Sequence, residues 1–327
     1  MKKPFYKKFF YALVSLSVAL TLSSCGKNKT SVTSDTDESE GVENLAQQVL
    51  SESSSHASAT EGSTVGLNSF SSTHDTSQFS DMNQLTTACS YSSPYKTCSG
   101  ATGTIDWNSC SVTYSGVSIA TMTGGWNEDW TSASECQHSY LSDGGSVVRS
   151  ATRSAITYTL GRKTITDTTG GTAYDGTVFT SGGIRTTRAS GNRSVSMTTG
   201  SAIHRTGISR KGITYFDYYM VPSLTVSGSL KNSSSNLLTS NRTIGGSLTV
   251  YHNLLKYTAT SQFNSVVWTD SSCCYPTSGN IAFTFTGANK PANSATMAFS
   301  SSCGTATLTT VTDSGSFTSS MTLESCE

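Results

Sequence analysis

Apolar residues recur at every second position through much of the second half of the chain. Ile281, Phe283 and Phe285 alternate with Ala282, Thr284 and Thr286, the period of a strand with one buried face. Ala295, Met297 and Phe299 repeat the pattern, as do Ala306 and Leu308, then Phe317, Met321 and Leu323. Asp313-Ser314-Gly315 lies between the last two runs and reads as a hairpin turn. The alternation therefore predicts a four-strand antiparallel unit over 271–327. Upstream, Ile244, Leu248, Val250 and His252 run into Asn253, and Leu255, Tyr257 and Ala259 run back, which predicts a hairpin. Residues 146–160 are strand-like. Tyr215 to Val226 reads as a long, aromatic strand interrupted at Pro222. Ile105, Trp107, Val112, Tyr114, Val117, Ile119 and Met122 suggest two or three further strands. One stretch departs from this period: Val42, Leu45, Ala46, Val49 and Leu50 follow helical spacing and predict a short helix over 42–51.

Composition agrees with the strand reading. Gly is plentiful at 28 and Pro sparse at 5, and Thr, Val, Ile, Tyr and Phe carry the ordered part. Only 13% of residues are charged, which suits an exported β protein better than a cytosolic enzyme. Residues 26–40 are polar and acidic and read as a disordered tether; 51–81 return to low complexity and read as a linker. The expected fold is mostly β: an antiparallel sheet, sandwich or partly open barrel, rich in disulfides, behind a disordered N-terminal tether.

The first 24 residues are set apart from that fold. Lys2, Lys3, Lys7 and Lys8 precede an apolar run from Phe9 to Leu22, and Leu22-Ser23-Ser24-Cys25 follows. These four residues, in this position, resemble the lipobox of bacterial lipoproteins. The resemblance covers about the first 25 residues and implies cleavage before Cys25, acylation of Cys25 and attachment to a membrane. Gly26 follows, with no Asp to mark inner-membrane retention, so an outer-membrane location is expected. The organisation expected is a signal peptide over 1–24, a lipidated tether with its helix over 25–84, a main β body over 85–270, and a cysteine-pinned β unit over 271–327.

Eight cysteines remain after Cys25, an even number in a chain expected to meet an oxidising compartment. They fall into two groups, Cys89, Cys98, Cys110 and Cys136, and Cys273, Cys274, Cys303 and Cys326. Pairing within each group is expected, with its connectivity open. A bond closing the loop from Cys303 to Cys326 would contribute about 3 kcal/mol. Adjacent Cys273 and Cys274 face opposite ways on an extended chain, so each can hold a different neighbour. No Cys-x-x-Cys pair is present, and neither metal nor cofactor is expected.

Charge is segregated along the chain. Residues 149–211 hold ten basic residues against Asp167 and Asp175, a net +8, whereas 26–148 hold three lysines against fourteen acids, a net −11. Three readings follow: acidic and basic segments meet within the molecule, the basic segment meets an anionic envelope component such as lipid head groups, or charges line outer strand faces and block edge pairing. Basic–aromatic interleaving of the kind that binds nucleic acid is missing. The chain contains no Gly-x-Ser-x-Gly, His-Glu-x-x-His, phosphate loop or dinucleotide fingerprint. Gly124-Gly125-Trp126-Asn127-Glu128-Asp129-Trp130 is the most unusual string. Trp126, Glu128, Asp129 and Trp130 there suit a glycan platform, a pair of catalytic carboxylates, or a plain loop with packed tryptophans and hydrated acids. The leading expectation is a non-enzymatic envelope lipoprotein with a structural or binding role. The alternatives are a lipid- or glycan-binding carrier, and an envelope-polymer hydrolase using Glu128 and Asp129.

Overall fold

A computed structural model describes residues 42, 43, 45–47, 49, 50, 96–106, 110–114, 117–138, 140–160, 163–209, 211–228, 242–269, 273 and 275–323. Only the backbone is described for 96, 106, 110–114, 117–123, 151–160 and 163. All of these belong to one compact unit, Ser39–Glu327. Cys25, the expected tether and linker, Cys89, Cys274 and Cys326 lie outside the described residues.

The described residues form a sixteen-stranded antiparallel sheet and a separate two-stranded hairpin. The first strands are β1 (Lys96–Ser99), β2 (Thr102–Asp106), β3 (Cys110–Tyr114) and β4 (Val117–Trp130). A short helix, α2 (Ala133–His138), then leads to β5 (Ser146–Leu160) and β6 (Lys163–Thr169). The small hairpin is β7 (Gly171–Thr172) and β8 (Val178–Phe179). It is followed by β9 (Gly183–Ala189), β10 (Asn192–Met197), β11 (Ile203–Ser209) and β12 (Thr214–Ser227). The rest is a meander: β13 (Arg242–His252), β14 (Tyr257–Trp268), β15 (Pro276–Gly287), β16 (Ser294–Phe299), β17 (Thr305–Thr312) and β18 (Gly315–Thr322). Among the described residues β1 and β18 are not joined, so the sheet is open. β15 pairs with β14 as well as with β16. The expected boundary at 270/271 therefore falls between two paired strands of one sheet.

The sheet divides between two of its longest members, β5 and β12. The first half of β5 pairs with β9 and the second half with β6. On the far side, β12 pairs with β11 over 214–220 and with β10 over 223–227. Two lanes, β6–β11 and β9–β10, thus connect β5 to β12. Pro222 sits where the lanes part, between the two partners on that side. A residue without an N–H is tolerated there inside one continuous strand, so the expected interruption at Pro222 is a change of partner. Short side chains hold the junction: the Gly183 N–H donates to Thr198 Oγ1 at 3.1 Å, and Ser201 Oγ donates to the Thr198 carbonyl at 2.7 Å.

Alternation along each strand buries one face. On β13 to β17 the buried positions include Ile244, Leu248, Val250, Phe263, Trp268, Ile281, Phe283, Met297 and Leu308. The described positions 42, 43, 45–47, 49 and 50 are helical (α1), and its apolar stripe packs into the same core. Val42, Leu45, Ala46, Val49 and Leu50 are buried with Met321 and Leu323. Gln47 Nε2 donates to the Thr322 carbonyl at 2.9 Å. The helix read from its spacing thus docks on the sheet.

Two disulfides are formed among the described cysteines, Cys98–Cys136 and Cys273–Cys303. Each lies within one of the two groups. The loop considered between Cys303 and Cys326 is overturned, because Cys303 is bonded to Cys273. The reason is positional: Cys303 follows β16 and Cys273 precedes β15, and these strands are paired.

Candidate functional site

The string singled out in the sequence is strand, not loop. Residues 124–130 complete β4, between β2 and β5. Gly124, at φ 95°, takes a backbone conformation that other residues rarely adopt, and the register with β5 shifts there. That bulge lets the strand absorb two glycines. Alternation then sends Trp126, Glu128 and Trp130 inward and leaves Asp129 exposed.

Glu128 and its neighbours form a buried charged cluster. Arg149 Nε donates to Glu128 Oε1 at 2.7 Å and Trp130 Nε1 to Oε2 at 3.0 Å. The Arg149 guanidinium lies 5.4 Å from the Trp130 ring centroid. Glu128 and Arg149 come from the acidic and basic segments respectively, so the two do meet inside the molecule here. A second pair lies in the other lane. Arg205 grips Asp167 through both ends of its fork, at 2.7 and 2.9 Å, and donates to the Tyr218 hydroxyl at 3.4 Å. Arg188 Nη1 donates to the Leu141 carbonyl at 2.9 Å, and Arg193 is fully buried. The reading that places the basic residues on outer faces is therefore corrected for Arg149, Arg188, Arg193 and Arg205. Each shares strand parity with a buried neighbour: Val147, Ile184, Val195 and Ile203.

This geometry limits the chemistry of the string. Glu128 and Asp129 point to opposite faces of one strand and share no cleft. Both Glu128 oxygens accept hydrogen bonds in the interior, so its carboxylate is taken up by the fold itself. Trp126 and Trp130 present no free ring face to a sugar. Among the described residues, no group of three or more His, Cys, Asp or Glu side chains is placed to hold a metal ion.

The outer face of β11 to β13 carries a cluster that sequence reasoning missed. His204 Nε2 lies 2.9 Å from Asp217 Oδ1, and its ring stacks on Tyr219 at 4.2 Å. Asn253 Nδ2 donates to the same Asp217 oxygen at 2.8 Å, and Asn253 Oδ1 accepts from the Tyr174 N–H at 2.9 Å. Phe179, from the β7–β8 hairpin, packs on Tyr219 and Tyr251. Burial, then the Asp217 charge, raises the Tyr219 phenol; burial, then Asp175 and Tyr174, raises that of Tyr251. Both phenols therefore stay neutral. Every named partner is internal to the cluster, which fastens the hairpin to the sheet. Its residues are scattered from 174 to 253, so only their shared strand register could have signalled it.

On the buried side of the same strands His252 stacks on Tyr257 at 5.2 Å. Burial pushes its pKa down from 6.5 to about 4, against an opposing pull from Asp217. The imidazole is neutral in the fold and charges first in the unfolded chain. Its contribution to stability is therefore complete above pH 6.5 and is lost as pH falls toward about 4. Taking pH from about 7 to about 5 is expected to cost about 2 kcal/mol through this residue. Urea midpoints at the two pH values, compared with His252→Asn, measure it. An unchanged pH dependence in the variant assigns the loss to other groups.

Comparison with protein families, with curated proteins and with solved structures finds no match to the chain.

Proposed function

We propose that this protein is a cell-envelope lipoprotein, held at the outer membrane through acylated Cys25, whose β body has a non-enzymatic structural or binding role. One observation carries the reading: Leu22-Ser23-Ser24-Cys25 stands behind four lysines and an apolar run, in lipobox order. The bonds Cys98–Cys136 and Cys273–Cys303 support it, because such cross-links persist in oxidising compartments. The internal use of Glu128 and the cover over Trp126 and Trp130 direct any binding role to the outer surface and hairpin tips. Mass spectrometry of the protein from membranes is expected to find a mature N-terminus at Cys25 bearing acyl chains, and Cys25→Ser is expected to remain unprocessed. A mature chain that begins elsewhere and carries no lipid overturns the reading.

A further inference from the structure

The register places five hairpin ends along one rim of the sheet. Lys163 pairs with Ser209, Ile208 with Thr214, Tyr218 with His252, Tyr257 with Gly287, and Thr312 with Gly315. The connections after β5, β11, β13, β15 and β17 therefore all turn at the same end. Among the described residues, seven of the eight exposed large hydrophobic side chains lie at the ends of these strands; the eighth, Val178, is on the β7–β8 hairpin, whose Tyr174 N–H bonds Asn253 of the β13–β14 tip. Five of the seven occupy two adjacent tips: Ile208, Ile213 and Tyr215 on the β11–β12 hairpin, and Leu254 and Leu255 on the β13–β14 hairpin. Ile213 is 62% exposed and Leu255 51%. Both tips are built to hold these side chains outward. Ser209 N–H donates to the Ile213 carbonyl at 2.8 Å, and Lys256 N–H donates to the His252 carbonyl at 2.7 Å. The Asn253 N–H and side chain both bond Asp217, joining the second tip to the base of the first.

Cations accompany the apolar side chains. Lys211 and Lys256 are exposed on the same two tips and Lys290 on the next one. In sequence, Arg162 and Lys163 flank the β5–β6 connection and Arg210 precedes Lys211. The acids of this region are Asp217, already engaged by His204 and Asn253, Asp313, bonded to Asn293, and Asp175. Apolar tips ringed by lysines match the boundary of an anionic bilayer, where side chains enter the acyl region and ammonium groups remain among phosphates. A protein partner of ordinary affinity would need a broad, packed patch, whereas separate tips enter lipid individually.

We propose that this rim docks on an anionic lipid surface, with Ile213, Leu254 and Leu255 inserting and Lys211 and Lys256 meeting lipid phosphates. This contact is additional to the Cys25 anchor and independent of it. The test uses the mature chain, residues 25–327, produced without the apolar N-terminal segment and carrying Cys25→Ser, so that neither acylation nor that segment plays a part, in flotation with vesicles rich in phosphatidylglycerol or made of phosphatidylcholine alone. Binding is expected to the anionic vesicles and to weaken with salt. The triple variant Ile213→Ser, Leu254→Ser, Leu255→Ser, with the same N-terminus, is expected to partition at least about tenfold less. Lys211→Gln and Lys256→Gln are expected to reduce partition about fivefold each, only on anionic vesicles. Equal partition of parent and triple variant, at any level including none, overturns the proposal. So does a concentration-dependent dimer dispersed by the same three substitutions without vesicle binding, which would assign the rim to self-association. Acylation of Cys25, measured separately on the unsubstituted chain, alters neither result.

Discussion

Asp167→Ala is expected to destabilise the body by about 3–5 kcal/mol, because it strips the carboxylate from an arginine that has no access to water. Asp167 and Arg205 are 0% and 1% exposed. Their two short, parallel hydrogen bonds make a fork-to-carboxylate pair, and the Tyr218 hydroxyl supplies a further contact. With Asp167 gone, the guanidinium remains in the interior beside β6 and β11. The desolvation cost, already met in the native state by the pair, is then uncompensated. Replacing both residues by apolar ones of similar volume, Asp167→Leu with Arg205→Met, is expected to restore most of the loss. Urea titrations of oxidised protein decide it, through a lower midpoint for the single variant at unchanged slope. A loss below about 1 kcal/mol for Asp167→Ala would mean that water reaches Arg205.

The second large effect belongs to the cross-links. Cys273–Cys303 spans 30 residues and Cys98–Cys136 spans 38. Each restricts the unfolded chain enough to contribute about 3–4 kcal/mol. Cys273→Ser with Cys303→Ser is expected to lower stability by that amount while leaving β15 to β18 paired in the native state. The reason is that the core of those strands is apolar and continuous with β13 and β14. Peptide mapping of the parent should first recover both bonds; equal urea midpoints for parent and variant would show that the bond adds nothing.

Much of the fold was legible because its strands obey a simple period. Residues 146–160, the hairpin through Asn253, the four terminal strands and the helix near 42–51 all follow from alternating or helical spacing of apolar residues. What stayed hidden was an interior that is not apolar. Arg149, Arg193 and Arg205 occupy inward positions of their strands, yet arginine by itself signals an outward face. The usable clue was parity: Arg193 stands two residues from Val195, and Arg205 two from Ile203. Glycine misled at Gly124-Gly125, where a bulge inside β4 imitates a loop in sequence. The forked pairing of β5 and β12 was also beyond reach. Strand period reports which face is buried, but not which neighbour a long strand takes along each half of its length. For the candidate site, the Trp126–Trp130 string stands out by its unusual composition, whereas its role follows from Arg149, a residue that no local pattern linked to it.

The contact between Gln47 and Thr322 constrains the order in which the body is completed. These residues are 275 positions apart, and the helix that carries Gln47 shares its apolar stripe with Met321 and Leu323. The earliest described element therefore cannot finish packing until the last strand has been synthesised and, in an exported chain, translocated. Closure of such distant partners is slow. During that interval the helix stripe is left without its final cover, and the nascent chain must be kept from associating through it until β18 arrives.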